Sequence, residues 1–207
     1  MKASSTAPLA APSAVSQRRV FEAIALGLIV LLAAGLRFYR IDAQSLWYDE
    51  GNSARIAERS IQLILEGAAG DIHPPLYYLL LSLWRSVFGA SETALRSLSA
   101  VSGIGLVALA WGLGRRLFGI RAGLAAAALL AVSPFAVYYS QEARMYALLA
   151  LWAALASVWI VTLALPDPST PSTGSGTGSG QVRWPGAALY ALATAAGLYT
   201  HYAYPFV

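Results

Sequence analysis

The chain has 207 residues, of which 57% are hydrophobic and 12% are charged, and its mean hydropathy is +0.58. A soluble domain carries about 25% charged residues, so this composition indicates an integral membrane protein. The net charge of +4 comes from basic residues scattered along the chain, which excludes the single basic face that nucleic-acid binding requires. The lack of cysteine excludes disulfides and thiol chemistry.

The chain opens with a polar segment rich in Ala, Ser and Pro that ends at Arg18 and Arg19, and residues 1–19 are predicted to form a cytoplasmic tail. The apolar run that follows, residues 20–38, predicts a first membrane-spanning helix. A cleaved signal peptide is the alternative, but its apolar region is typically about 7 to 15 residues long. We therefore expect an uncleaved anchor, with residues 20–207 forming one transmembrane domain.

Further apolar runs predict an all-α polytopic membrane protein. Beyond 20–38, spans are predicted over residues 95–118, 122–139 and 145–165, and a fifth over 187–207. Residues 43–66 mix apolar and charged positions as in an amphipathic interfacial helix. The segment 74–89 has only about 14 residues after its two prolines, which favours an interfacial or re-entrant helix. Residues 166–185, rich in Ser, Thr and Gly, predict a flexible cytoplasmic linker.

The basic residues suggest how the chain is oriented. If 74–89 does not span, the tail arginines share one side of the membrane with four later ones, as the positive-inside rule expects: Arg115, Arg116, Arg121 and Arg183. Arg37 and Arg40 oppose this topology mildly. The topology places three polar segments on the outer face, namely "LWYDE", "DIHPPLYY" and "YYSQEAR".

The adjacent carboxylates Asp49 and Glu50 are the strongest catalytic candidates. Partial desolvation near a membrane surface and their mutual repulsion would raise their proton affinity, which suits a general base. The alternative is that they cap the amphipathic helix that follows.

The remaining candidates are predicted to bind substrate. His73, held before two prolines, could bind an anion or a hydroxyl, or be a solvated interfacial histidine. Arg96 could contact a phosphate or simply extend to the interface. Glu142 and Arg144 could recognise a polar lipid head or form a local ion pair. His201, near the outer end of the last predicted span, completes the set.

Read together, five segments resemble the N-terminal module of the GT-C glycosyltransferases, in particular bacterial relatives of the protein O-mannosyltransferases (glycosyltransferase family 39-like) and of the lipid A aminoarabinose transferases. These segments are "LWYDE", "HPPLYYLLL", "RSLSAVSG", "GRRLFG" and "YYSQEARMYALL". The resemblance implies a multi-pass plasma-membrane enzyme that moves a sugar from a polyprenyl-phosphate donor to a lipid, glycan or protein acceptor at an extracytoplasmic site. Family members are longer, so we expect the chain to be a fragment of one.

The resemblance also implies roles for particular residues. Asp49 matches the acidic residue that activates the acceptor hydroxyl, Glu50 is its companion, and Arg96 matches an arginine that contacts the carrier phosphate. The chain departs from the aminoarabinose-transferase branch at Tyr146, where that branch has an aspartate, and Glu142 is the substitute offered here. No metal-ligand cluster at helical spacing is visible, but a divalent metal ion stays open as a cofactor.

Two functions of other classes remain open at this point. A secondary transporter also tolerates charges within the membrane, but transporters usually carry paired broken helices and internal repeats, which this sequence lacks. A non-catalytic subunit of a membrane assembly is the second alternative.

Overall fold

The structure, a computed structural model, describes residues 14–68, 70, 73–165 and 184–206. Every regular element within these ranges is helical, which confirms the predicted all-α membrane fold. In chain order the helices are α1 (Ala14–Phe38), α2 (Tyr48–Ala57), α3 (Ile61–Ala68), α4 (Leu76–Phe88), α5 (Glu92–Phe118), α6 (Ile120–Val132), α7 (Pro134–Ser140), α8 (Tyr146–Ala164) and α9 (Trp184–Thr200), followed by a 3₁₀ turn (Tyr204–Phe206). Most of the predicted tail, 1–13, and nearly all of the predicted linker, 166–183, lie outside the described residues.

Three helices are long and apolar enough to cross a membrane, namely Gln17–Phe38, Glu92–Phe118 and Tyr146–Ala164. The predicted span 122–139 is two helices, α6 and α7, which together pass the same test but meet at an angle of 61°. The predicted span 187–207 is a helix of 17 residues that ends at Thr200. The described residues therefore hold three or four spans by length and composition, fewer than the five expected from the apolar runs.

The bend between α6 and α7 has a local cause. Pro134 has no N–H, so it cannot donate to the carbonyl of Leu130 and the helical ladder stops there. Ser133 then caps the second helix, because its Oγ accepts a hydrogen bond from the N–H of Ala136 at 3.4 Å. The prediction of one continuous span overlooked this Ser-Pro pair.

The predicted amphipathic helix over 43–66 is likewise two short helices. α2 ends at Ala57, and the chain turns through Glu58 and Arg59 before α3 begins at Ile61. Ser60 favours this break because its Oγ accepts the N–H of Leu63 at 3.4 Å, which starts a new helix. The segment predicted not to span is α4, whose 13 residues extend about 20 Å, less than the hydrocarbon thickness of about 30 Å.

α5 is the central helix, packed against α1, α6 and α8. At one end of this bundle α5 and α6 form a tight hairpin, because Gly114 and Gly123 let the two backbones approach closely. Arg115 at this end pairs with Glu22 of α1, with Nε 2.9 Å from Oε1, and Arg18 lies in a groove with Arg121. Arg18, Arg115 and Arg121, which were expected on one side of the membrane, thus lie at one end of the bundle, and the polar loops are at the other. Arg183 lies outside the described residues.

Candidate functional site

Glu50 is fully buried at the polar end of the bundle and accepts hydrogen bonds from three other residues. Its Oε1 accepts from Arg96 Nε at 2.8 Å and from the N–H of Ala143 at 2.7 Å. Its Oε2 accepts from Arg96 Nη2 at 2.7 Å and from the N–H of Trp47 at 3.3 Å. Burial raises the pKa of the Glu50 carboxyl, but the hydrogen bonds from Arg96 and Ala143 outweigh it and hold the pKa below its usual range.

Every N–H group of Arg96 donates a hydrogen bond to another residue at the polar end of the bundle. An arginine has five N–H donors. Two of them bind Glu50, two on Nη1 bind the carbonyls of Ile41 and Gln44 at 2.7 and 2.8 Å, and the fifth is directed at the carbonyl of Ser45 at 3.3 Å. No donor of Arg96 is left for a phosphate in this arrangement. Arg96 instead ties the loop between α1 and α2 to α5.

Asp49 lies beside this pair in a different setting. Its side chain is 38% exposed, and its Oδ2 is 3.7 Å from Nη2 of Arg144, longer than a hydrogen bond. Arg144 is almost fully buried, its Nη1 reaches the Asp49 carbonyl only at 3.5 Å, and its Nε finds no hydrogen-bond partner in the described part of the chain. A buried guanidinium with an unused N–H is suited to an anion.

The two histidines meet on the same side as Arg144. The rings of His73 and His201 are 5.4 Å apart and nearly perpendicular, although the residues are 128 positions apart in the chain. His201 Nδ1 accepts the N–H of Ala203 at 2.9 Å, so its Nε2 carries the hydrogen in the neutral ring and can donate. Burial, reinforced by His73 and Arg144, lowers the pKa of His201. His201 is therefore a neutral donor at neutral pH.

Tyr146 connects these groups. Its ring lies 5.7 Å from the Arg144 guanidinium carbon and 6.3 Å from the His201 ring. The position where the aminoarabinose-transferase branch is expected to have an aspartate thus places an aromatic face against a cation, which stabilises the cation without a carboxylate.

Glu142 lies close to the buried ion pair, because Glu50 and Arg96 line the same cavity as Glu142. It lines a cavity of about 370 Å³ together with Trp47 and Tyr138. Burial raises the pKa of Glu142, the Tyr138 hydroxyl beside it acts in the opposite sense, and the negative charge of Glu50 raises it further. The pKa of Glu142 ends above its usual range, although the positive charges of Arg144 and Arg96 oppose this shift.

The donor set does not fit a resident metal ion. Within 14–68, 70, 73–165 and 184–206 no three His, Asp or Glu side chains converge in a way that could hold one. The Glu50 oxygens already accept four N–H groups, and Asp49 faces a guanidinium. We derive no step through a metal.

Arg37 is a buried residue of this region whose role the sequence did not reveal. It is fully buried and donates to Ser140 Oγ at 3.2 Å and to the carbonyls of Leu130 and Ala131 at 3.4 and 3.3 Å. These carbonyls end α6 at the bend, so Arg37 donates to carbonyls that the break in the helix leaves without their usual N–H partners. A charged residue within an apolar run is the sequence signal for such a role.

Comparison with known proteins identifies one family. A family model described as dolichyl-phosphate-mannose-protein mannosyltransferase matches residues 72–200, more than half of the chain. No curated protein and no solved structure matches the chain. The matched region includes His73, Arg96, Glu142 and Arg144, whereas Asp49 and Glu50 precede it.

Proposed function

We propose, because the chain belongs to the dolichyl-phosphate-mannose-protein mannosyltransferase family, that it transfers a sugar from a polyprenyl-phosphate donor to an acceptor hydroxyl. We assign the reaction to the extracytoplasmic face of the plasma membrane, where the positive-inside rule puts the polar loops when the arginine-rich end of the bundle is cytoplasmic. The acceptor is a lipid, glycan or protein.

The observation that carries this proposal is the difference in burial and hydrogen bonding between the two adjacent carboxylates. Glu50 is buried and fully bonded to Arg96 and its neighbours, which suits a positioning role and not proton transfer. Asp49 is partly exposed, with Arg144 too far for a hydrogen bond, so its oxygens can accept a proton. Asp49 is therefore the general base, and Glu50 fixes the start of α2 so that Asp49 faces the reacting groups.

The phosphate of the donor is assigned to the group around Arg144. The unused Nε of Arg144 is a charge-assisted donor for a phosphate oxygen. His201 can donate from Nε2, and His73 lies against it. Because all donors of Arg96 are in use, the contact with the phosphate is assigned to Arg144 and not to Arg96.

The reaction is a direct displacement at the anomeric carbon. Asp49 accepts the acceptor's hydroxyl proton while that oxygen bonds to the anomeric carbon, and the bond from the same carbon to the phosphate oxygen breaks. The electron pair leaves with the carrier phosphate, whose developing charge Arg144 stabilises. Direct displacement inverts the configuration of the sugar.

The test is transfer and binding by the purified full chain with a polyprenyl-phosphate-sugar donor. Asp49→Asn should abolish transfer while donor affinity and thermal stability stay near those of the parent. The matched control is Asp42→Asn, which makes the same change at an exposed carboxylate and should leave transfer intact. Full transfer by the Asp49 variant would remove it as the base, and a variant that fails to accumulate would favour the helix-capping alternative.

A second measurement separates donor binding from chemistry. Arg144→Gln removes a charge-assisted contact worth about 1.5–3 kcal/mol, so donor affinity should fall by roughly one to two orders of magnitude. Lysine should restore part of it, because it keeps the charge and loses the planar fork. The exposed Arg59, changed to Gln, is the control. Unchanged donor affinity in Arg144→Gln would contradict the phosphate assignment.

A further inference from the structure

A groove between α1 and α6 lies at the arginine-rich end of the bundle, away from Asp49. It has a volume of about 470 Å³, and its lining includes two cations and three apolar side chains, namely Arg18, Arg121, Phe21, Ile120 and Leu124. Both arginines are exposed, and Phe21 is 66% exposed. The reaction proposed above uses none of these residues.

The two arginines of the groove have no protein counterion in the described part of the chain. At this end Arg115 pairs with Glu22, and Arg116 donates to the Leu165 carbonyl at 3.1 Å. Arg18 and Arg121 make neither kind of contact with any residue of the described ranges. Two like charges that line one groove repel each other, and a bound anion that contacts both would offset this repulsion.

The order of residues along each helix matches the profile of a membrane surface. α1 is apolar enough to span from Gln17 onwards, so Arg18 lies at the boundary of the hydrocarbon core and Phe21 lies about 4.5 Å deeper. α6 enters from the same end, because it begins at the hairpin with α5, and its Arg121 precedes Leu124 by the same distance. Each helix therefore carries a cation at the surface and an apolar side chain below it.

We propose that this groove binds an anionic phospholipid of the surrounding membrane. Its phosphate contacts Arg18 and Arg121, and one acyl chain lies along Phe21 and Leu124. The charge complementarity selects a lipid with a net negative charge, and the apolar wall selects a lipid over a soluble phosphate. Because its contacts come from both α1 and α6, the bound lipid holds the first helix against the hairpin. The inference does not depend on the sugar-transfer reaction, so it is measured without a sugar donor.

The first test measures the head group. Three probes are bound to the purified full chain in neutral detergent: dioctanoyl phosphatidylglycerol, dioctanoyl phosphatidylcholine and glycerol 3-phosphate. Arg18→Gln and Arg121→Gln should each lower the affinity for phosphatidylglycerol about fivefold. The matched control is Arg19→Gln, which removes the same charge from the next position of α1, outside the groove, and should leave the affinity within twofold of the parent. Phosphatidylcholine should bind more weakly than phosphatidylglycerol, and the two arginine variants should change its affinity little.

The second test measures the apolar wall. Phe21→Ala should lower phosphatidylglycerol affinity about fourfold, the contribution of roughly one buried methylene group. Phe118→Ala is the matched control, because Phe118 is 79% exposed at the same end of the bundle and does not line the groove. Neither change removes a buried side chain, so both variants should fold.

Four results would overturn the proposal. Failure of the parent chain to bind phosphatidylglycerol removes the site, and equal affinity in Arg18→Gln and Arg19→Gln reduces it to general attraction by a basic surface. Phosphatidylcholine that binds as tightly as phosphatidylglycerol overturns the anionic head group. Glycerol 3-phosphate that displaces phosphatidylglycerol at equal concentration, together with unchanged binding by Phe21→Ala, assigns the groove to a soluble phosphate. All four leave the assignment of Asp49 and Arg144 untouched, because those residues are tested separately by transfer and donor binding.

Discussion

Replacing Glu50 with Gln distinguishes a positioning carboxylate from a catalytic one. A positioning role predicts a large loss of stability, whereas a purely catalytic role predicts a loss of activity in a protein as stable as the parent. Gln has nearly the same shape, and its carbonyl oxygen can still accept from Arg96 Nε and the N–H of Ala143. Its amide group, however, would face two donors, Arg96 Nη2 and the N–H of Trp47. The change removes two hydrogen bonds and leaves a buried guanidinium without its counterion.

The magnitude follows from these losses. The hydrogen bond to the charged Nη2 is worth about 1.5–3 kcal/mol and the backbone bond about 1 kcal/mol. Leaving Arg96 unpaired in a buried site brings the total to about 3–5 kcal/mol. For a chain of this size such a loss lowers Tm by about 6–20 °C. The affinity of Glu50→Gln for the donor should change only through disturbance of the local structure around Asp49.

The assay is thermal unfolding of the purified protein in detergent, alongside Glu58→Gln as the matched control. Glu58 also pairs with an arginine, Arg85, at 3.3 Å, but both side chains are substantially exposed. Surface pairs contribute about 0–1 kcal/mol, so the control should shift Tm by no more than about 4 °C. A Glu50→Gln protein as stable as the parent, yet inactive, would refute the positioning role and return Glu50 to the catalytic group.

Three further predictions concern the same fold. The folded-state pKa of Glu50 is lowered, so its contribution to stability is present above the unfolded-state pKa of about 4.3 and is lost as pH falls through the folded value; unfolding measured below pH 4 should show a steeper decline of stability in the parent than in Glu50→Gln. Gly103→Ala should destabilise the protein by about 1–3 kcal/mol, whereas Gly112→Ala on the same helix meets no atom within 4 Å and should be neutral or slightly stabilising in the same unfolding assay. Single cysteines should react with an impermeant thiol reagent in intact cells at Tyr48, which is 88% exposed, and only after permeabilisation at Phe118, which is 79% exposed; labelling of both from outside would contradict the proposed orientation.

The sequence predicted what depends on local composition. The lengths of the apolar runs predicted helices α1, α5 and α8. The short run after the two prolines correctly indicated that α4 is too short to span. The prediction overestimated the spans, because hydropathy averages over the Ser133–Pro134 break and does not register where α9 ends. Pro134 was itself a local sequence signal for this break.

The sequence could not predict how polar groups pair across the fold. Glu50 was predicted to be catalytic and Arg96 to contact a phosphate, but the two residues are 46 positions apart and their ion pair exists only in the folded chain. The predicted topology placed Asp49 and Arg144 on the same face, but it could not give the 3.7 Å distance between the Asp49 carboxylate and the Arg144 guanidinium. The Arg96–Glu50 pair is buried whereas the Asp49 side chain is 38% exposed, and burial is a property of the folded chain.

The bend at Pro134 also constrains how the protein is made. Its free carbonyls, at Leu130 and Ala131, are satisfied by Arg37, which lies 93 and 94 positions earlier in the chain. In the hydrocarbon core an unpaired carbonyl costs several kcal/mol, so α6 and α7 cannot settle in their bent form until the first helix is beside them. During synthesis α1 emerges from the ribosome first, so the hydrogen-bond donor for these carbonyls is made before α6 and α7 are.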